Sequence, residues 1–338
     1  MPREIVHWIV VQNTASALAS RNLPLINDCI ASYPAAAFLG AISHDVPYYY
    51  RMGEDQFELV ADVMHGREGE DTLLPMRMLA LQILTLEPEK QKPLWSFFFG
   101  MLTHIATDVQ IHPIVYYFTG NYHDPDPAEA IRAQGRHRLF ETYLDWWARP
   151  KAKFPFGISL RDLLREDVAS RKLICEELEK VLVPEMLWKV PAPAELGRWF
   201  HGMSQMAWYQ HLFLSTTVGA LFRGVASFGS DRTKSIDSLF SFGRRGSSEF
   251  FDKPFEYLHP VSGEAHTASA EELMGRSVDD SIQLIERFES VIGKDTGALT
   301  RALEGVVGSS LNYGVPNAPT DLGKYFSVTG APLPGLER

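Results

Sequence analysis

Cysteine is almost missing from this chain. Cys29 and Cys175 are the only two in 338 residues, and they form neither a CxxC pair nor a disulfide framework, so a reducing compartment is the default. Long apolar runs are missing as well: no 18-residue stretch is apolar enough to read as a membrane span. Basic clusters are short, such as Arg244–Arg245, and the net charge is −10, which argues against a non-specific nucleic-acid binder. Strand-like alternation is scarce, with Phe255–Pro260 the best local instance, and there is no internal repeat. The start, MPREIVHWIVVQNTASALAS, has an early Arg and a small-residue end. Glu4, His7 and Gln12–Asn13 nevertheless interrupt its apolar part, so it is not read as a secretory leader, and the expected location is cytoplasmic.

What is abundant is helical pattern. Hydrophobic residues make up 45% of the chain, ample for a large core. Helices are expected near 3–19, 24–32, 54–65, 72–86, 92–119, 127–149, 169–182, 193–226, 270–292 and 296–306. Asp126 and Pro127 mark the start of the 127–149 helix as N-cap and first-turn residue. The segment 227–267 is rich in Gly, Ser, Arg and Pro and reads as a loop or flap, and 314–338 reads as an irregular surface tail. The expected class is all-α, one domain spanning 1–338.

One helix is unusual. Residues 97–122, FFFGMLTHIATDVQIHPIVYYFTGNY, are nearly all apolar or aromatic, yet His104, Asp108 and His112 interrupt them at steps of four. Four residues advance a helix by roughly 40° and about 6 Å, so the three share one stripe. The remaining faces are apolar, which makes the helix a buried one. Buried polar groups must be paired or must bind something. One explanation is a satisfied core in which Asp108 bonds both histidines; the other is a metal site, because imidazole and carboxylate are first-row metal ligands.

Further candidates lie nearby. His137 and Glu141 stand at i and i+4 on the next long helix, either a surface pair or two inward ligands. Asp45, in FLGAISHDVPYYY, lies in a loop after a buried helix and also suits a turn before Pro47. His65 ends a helix just before Gly66, where it also complements the helix dipole. His7, in IVHWIVV, is a lone His in an apolar helix. Asp124, Asp126 and Asp145 are explained by helix capping or by bonds to a ligand His. Tyr48, Tyr49 and Tyr50 are either core filler or the wall of a choline-type pocket.

Taken in order, these residues resemble the zinc-dependent phospholipase C family of bacteria, whose fold is shared by a group of zinc nucleases. The likeness runs through residues 1–150: His7 in the first helix, LGAISHD ending in Asp45, His65, HIATD–VQIHP with His104, Asp108 and His112, and then His137 and Glu141. YLHPVSGE before a long helix is similar to the family's closing segment.

The resemblance implies an all-α fold with two or three zinc ions in a cleft. Asp45, His65, His104 and Asp108 would hold the first ion, and His112, His137 and Glu141 the second. His7 would join a bridging Asp108 on the third. Asp45 would also be the catalytic residue, taking the proton of the attacking water. The family often has Pro where His44 stands, which leaves His44 as an extra ligand or as a group behind the ligands. The implied activity is metal-dependent hydrolysis of a phosphodiester in a phospholipid head group or a small soluble ester. Peripheral membrane contact is then expected, and nucleic acid is not an expected partner. Two alternatives stay open: a zinc nuclease or phosphatase on small phosphoesters, and a non-catalytic, metal-stabilised helical binding protein. An open cleft at the metals favours an enzyme, and closed tetrahedral sites favour structure.

Overall fold

The structure is a computed structural model that describes residues 4–52, 57–154, 159–186, 197–226, 248–289 and 306–327, with residues 229, 233, 237, 238, 240 and 297 between them. The fold is all-α, as expected. The helices are α1 (Glu4–Leu18), α2 (Pro24–Ser32), α3 (Pro34–Gly40), α4 (Val46–Tyr49), α5 (Glu58–Met64), α6 (Leu74–Leu84), α7 (Pro88–Thr119) and α8 (Pro127–Ala148). They continue with α9 (Leu160–Glu166), α10 (Val168–Met186), α11 (Arg198–Leu214), α12 (Thr216–Ala226) and α13 (Ala270–Glu289). A short antiparallel hairpin, β1 (Phe255–Leu258) and β2 (Ala265–Ala268), pairs Phe255 with Ala268 and Leu258 with Ala265. No helix among the described residues is long and apolar enough to cross a membrane.

The polar-striped helix α7 is the axis of the molecule. Its apolar faces meet α1, α2, α3, α6, α8, α10 and α13, which explains why it is buried from Pro93 almost to its end. It stops at Gly120, whose φ of 92° is a backbone conformation that favours glycine. The closest packing is with α3. A Cβ on Gly100 would lie 1.9 Å from the Ala37 carbonyl oxygen, and one on Gly40 would lie 1.9 Å from that of Phe97. The two glycines therefore let the backbones touch, and this brings the chain after α3 onto the His104 turn of α7.

The helix α8 begins as its sequence predicts: Asp126 accepts from Ala128 N at 2.9 Å, with Pro127 in the first turn. Near its other end Asp145 accepts from Ile5 N and Val6 N at 3.4 and 3.1 Å. A buried carboxylate of α8 thus holds the first turn of α1, fixing the helix that carries His7.

Three expectations are corrected. The helix read at 193–226 is two helices, broken at an extended Ser215 whose hydroxyl accepts from Val218 N at 3.4 Å as the cap of α12; residues 193–196 lie outside the described residues. The segment read as a loop or flap holds the β1–β2 hairpin from 255 onward, while most of 227–247 lies outside the described residues. The irregular tail is not all on the surface: Ala318 and Thr320 are buried. The helix read at 296–306 falls almost wholly outside the described residues.

Candidate metal centre

The eight residues His7, Asp45, His65, His104, Asp108, His112, His137 and Glu141 come together at the middle of α7, and each is 0–3% exposed. Four elements supply the partners of the α7 stripe. His7 comes from α1, Asp45 from a 3-10 turn (Ser43–Asp45) after α3, His65 from the end of α5, and His137 and Glu141 from α8. Their ligand atoms fall into three groups, each lying within 4.8 Å: His7, His104 and Asp108; Asp45, His65 and His104; His112, His137 and Glu141.

Distances within the groups are regular. His104 Nε2 stands 3.1 Å from Asp108 Oδ2, and His7 Nε2 3.5 Å from Asp108 Oδ1. His65 Nε2 is 3.3 Å from Asp45 Oδ1 and 3.7 Å from Asp108 Oδ2. In the third group His137 Nε2 and His112 Nε2 lie 3.0 and 3.7 Å from Glu141 Oε1. Two ligands on one tetrahedral zinc, each about 2.1 Å from it, sit roughly 3.4 Å apart. The spacings bracket that value.

The outer nitrogens explain the orientation of the rings. His104 Nδ1 meets the Ala41 carbonyl at 2.8 Å, His65 Nδ1 that of Ala61 at 2.7 Å, and His112 Nδ1 that of Leu311 at 2.6 Å. A carbonyl only accepts, so each Nδ1 carries a proton and each ring turns its Nε2 inward. Those nitrogens face carboxylate oxygens. Accordingly Nε2 of His7, His65, His104 and His112 and both oxygens of Asp108 have no hydrogen-bond partner among the described residues. Ring nitrogens and carboxylate oxygens gathered in a buried site call for cations between them.

Protons fill only part of that role. Burial pushes His7 down to about 3 and His112 down to about 4, so both are neutral at pH 7. Burial also lowers His104, but Asp108 and Asp45 outweigh it and raise that ring to about 9. For Asp108 burial works upward, yet His112, His104 and His7 hold its carboxyl well below the usual carboxylate range. The donor set therefore fits zinc, which accepts neutral imidazole nitrogen and ionised carboxylate oxygen.

His44, adjacent to Asp45, is fully buried and stacks on His104 at 4.4 Å between ring centroids, while His7 stacks on the other face at 4.3 Å. It belongs to none of the three ligand groups.

The centre is not sealed. Asp45, His65, His112, His137 and Glu141 line a cleft together with Glu4, Tyr48, Tyr49, Tyr116, Tyr122, His123, Arg138, Met206 and Asn312, and its volume, counting the part open to solvent, is about 740 Å³. Tyr48 and Tyr49 reach this cleft, but Tyr50 does not; it is buried against Phe57 at 5.7 Å. The chain near its C-terminus is also part of the site. Leu311 N donates to His65 O at 2.9 Å, Leu311 O accepts from His112, and Asn312 Oδ1 accepts from the Tyr116 hydroxyl at 2.7 Å. Nothing in the sequence around Asn312 marks it, because its role is played mostly by backbone atoms.

A family model described as zinc dependent phospholipase C matches residues 6–180, more than half of the chain. The chain belongs to the zinc-dependent phospholipase C family. No curated protein and no solved structure matches it. The matched span contains all eight clustered residues, so the part of the chain that carries the family's likeness is also the part that carries the candidate metal centre.

Proposed function

We propose that the chain is a zinc-dependent phosphodiesterase of phospholipase C type, with the metal held by the eight residues in the arrangement the family resemblance implies. The observation that carries this is the cleft: five of the eight candidate ligands form its wall, so a substrate reaches them from solvent. A purely structural metal site is closed on all sides, which is why the catalytic reading is preferred to the metal-stabilised binding protein.

Zinc supplies Lewis acidity and lowers the pKa of water at neutral pH. The chain's own residues do the rest. His65, His104 and His112 are locked by backbone carbonyls, so their inward nitrogens are fixed before substrate arrives. Asp45 lines the cleft; burial works against its charge, but His104 and His65 hold its carboxyl low, so it is an ionised base. A water oxygen attacks phosphorus, its proton passes to Asp45, and the P–O bond to the alcohol breaks as the leaving oxygen takes that proton back from Asp45. The products are an alcohol and a phosphomonoester.

The net charge of −10 disfavours polyanionic nucleic acid and anionic membranes, so the proposed substrate is a zwitterionic phospholipid or a small soluble phosphodiester. The test is metal analysis of protein purified without chelator, joined to a screen of phosphatidylcholine, phosphatidylethanolamine, glycerophosphodiesters and a chromogenic diester. Two or three zinc equivalents with diester turnover are expected. Turnover confined to single-stranded nucleic acid moves the assignment to nuclease, and bound zinc without any phosphoester turnover moves it to the non-catalytic class.

A further inference from the structure

The cleft contains polar groups that the metal centre does not use. Tyr122 and His123 follow the end of α7, and Arg138 is the residue after His137 on α8. Arg138 carries the only lysine or arginine side chain among the described residues lining the cleft. Its Nη2 reaches the Tyr122 hydroxyl at 3.4 Å, and the Tyr122 ring stands 5.1 Å from the rings of both His137 and His123. Tyr122 therefore touches a candidate ligand, the arginine and His123. One step along a helix is about 100°, so Arg138 leaves α8 beside the His137–Glu141 pair rather than on it.

A fixed cation in this place has a chemical use. Asp45 and Glu141 are occupied by metal in the reading above, and they offer a phosphodiester no attraction of their own. A phosphodiester presents one negative charge shared by two non-bridging oxygens. A guanidinium presents parallel N–H groups at matching spacing and keeps its charge at every working pH. The His123 imidazole faces the cleft with a further N–H to give.

We propose that Arg138 clamps the phosphate of the substrate, donating to its non-bridging oxygens, with His123 as a second donor and Tyr122 holding the guanidinium in place. This rests on the phosphodiesterase reading for the identity of the ester, but not for the anion itself. Arg138 is then a catalytic residue in the sense that it touches the reacting group, and the phosphomonoester product is held by the same contacts.

The experiment uses the zinc-loaded full chain and two probes, inorganic phosphate by calorimetry and a chromogenic phosphodiester by turnover. In Arg138→Gln the zinc content stays at the wild-type value, while Kd for phosphate and KM for the diester rise about tenfold or more. Arg138→Lys recovers part of the loss, because a point charge replaces the fork, and Tyr122→Phe loses only severalfold. Unchanged phosphate affinity in Arg138→Gln overturns the proposal. Zinc loss in that variant also overturns it, since the arginine then supports the metal centre instead of the substrate. A wild-type protein that turns over no diester defeats the parent reading alone, and the phosphate titration still decides the clamp.

Discussion

Asp108 is the residue on which the centre turns. It stands between His7, His65, His104 and His112, at 3.1 to 3.7 Å from each, and has no exposed surface. Under the proposed function a carboxylate so placed would serve more than one ion, whereas an amide is a weak zinc ligand and brings N–H groups into a ring of donors. Asp108→Asn is therefore expected to remove diester turnover and at least one zinc equivalent together. Glu141→Gln should chiefly empty the group formed with His112 and His137. Metal analysis beside activity is the check, and full zinc with normal turnover in Asp108→Asn would refute a bridging role. At this scale the clustering of the residues was legible in the sequence. The i, i+4 spacing on α7 and α8 is a property of side chains, and the structure brings those side chains together. The carbonyls of Ala41, Ala61 and Leu311 that set the ring tautomers were not legible, because a backbone oxygen carries no residue identity.

Among the elements, the contact of α3 with α7 sets the geometry. His104 is oriented by Ala41, and Asp45 sits one turn further on, so both depend on how near α3 approaches. Gly100 and Gly40 allow that approach. Gly100→Ala forces its methyl against the Ala37 carbonyl and is expected to cost about 1–3 kcal/mol of stability. It should also weaken zinc binding, by shifting the Ala41 carbonyl and Asp45. Gly275→Ala on α13 is the control. Nothing lies within 4 Å of its Cβ position, so there the gain in helix propensity dominates and stability should rise by about 0.5–1 kcal/mol. Thermal melts with and without zinc distinguish the two, and a neutral Gly100→Ala would refute the close-contact account. The long helices were readable because a continuous apolar pattern over many turns has one meaning. α3, α4 and α9 have two turns or fewer and too few residues to show a period, and α12 was run into α11 because Ser215 looks like any helical serine until its hydroxyl is seen capping.

For the whole molecule, the ligand-bearing first half depends on chain near the other end. The segment from Ser309 to Pro316 closes on itself through a bridge between those two residues. It lies against α7 where Pro113, lacking an N–H, leaves the Val109 carbonyl without its helical partner; a Cβ on Gly314, at φ +70°, would be 2.6 Å from that oxygen. From there Leu311 reaches both His65 and His112, which belong to different ligand groups. Sequence alone could not show this, since an irregular stretch without a helix or strand period looks like surface and the bonds that matter come from its backbone. A chain ended at Gly308 loses the acceptor for His112 Nδ1 and the Leu311 N–H on His65. Its His112 ring is then free to turn or change tautomer, and zinc at the His112–His137–Glu141 group should be lost first. Asn312→Ala is the milder version: it leaves the backbone bonds but strips the Tyr116 hydroxyl of its acceptor, at a cost of about 1–3 kcal/mol. Metal stoichiometry under a chelator series, with circular dichroism to follow the fold, tests both. Wild-type zinc retention in the shortened chain would mean that α7 and α8 hold their ligands unaided, and the C-terminal segment would then be packing alone.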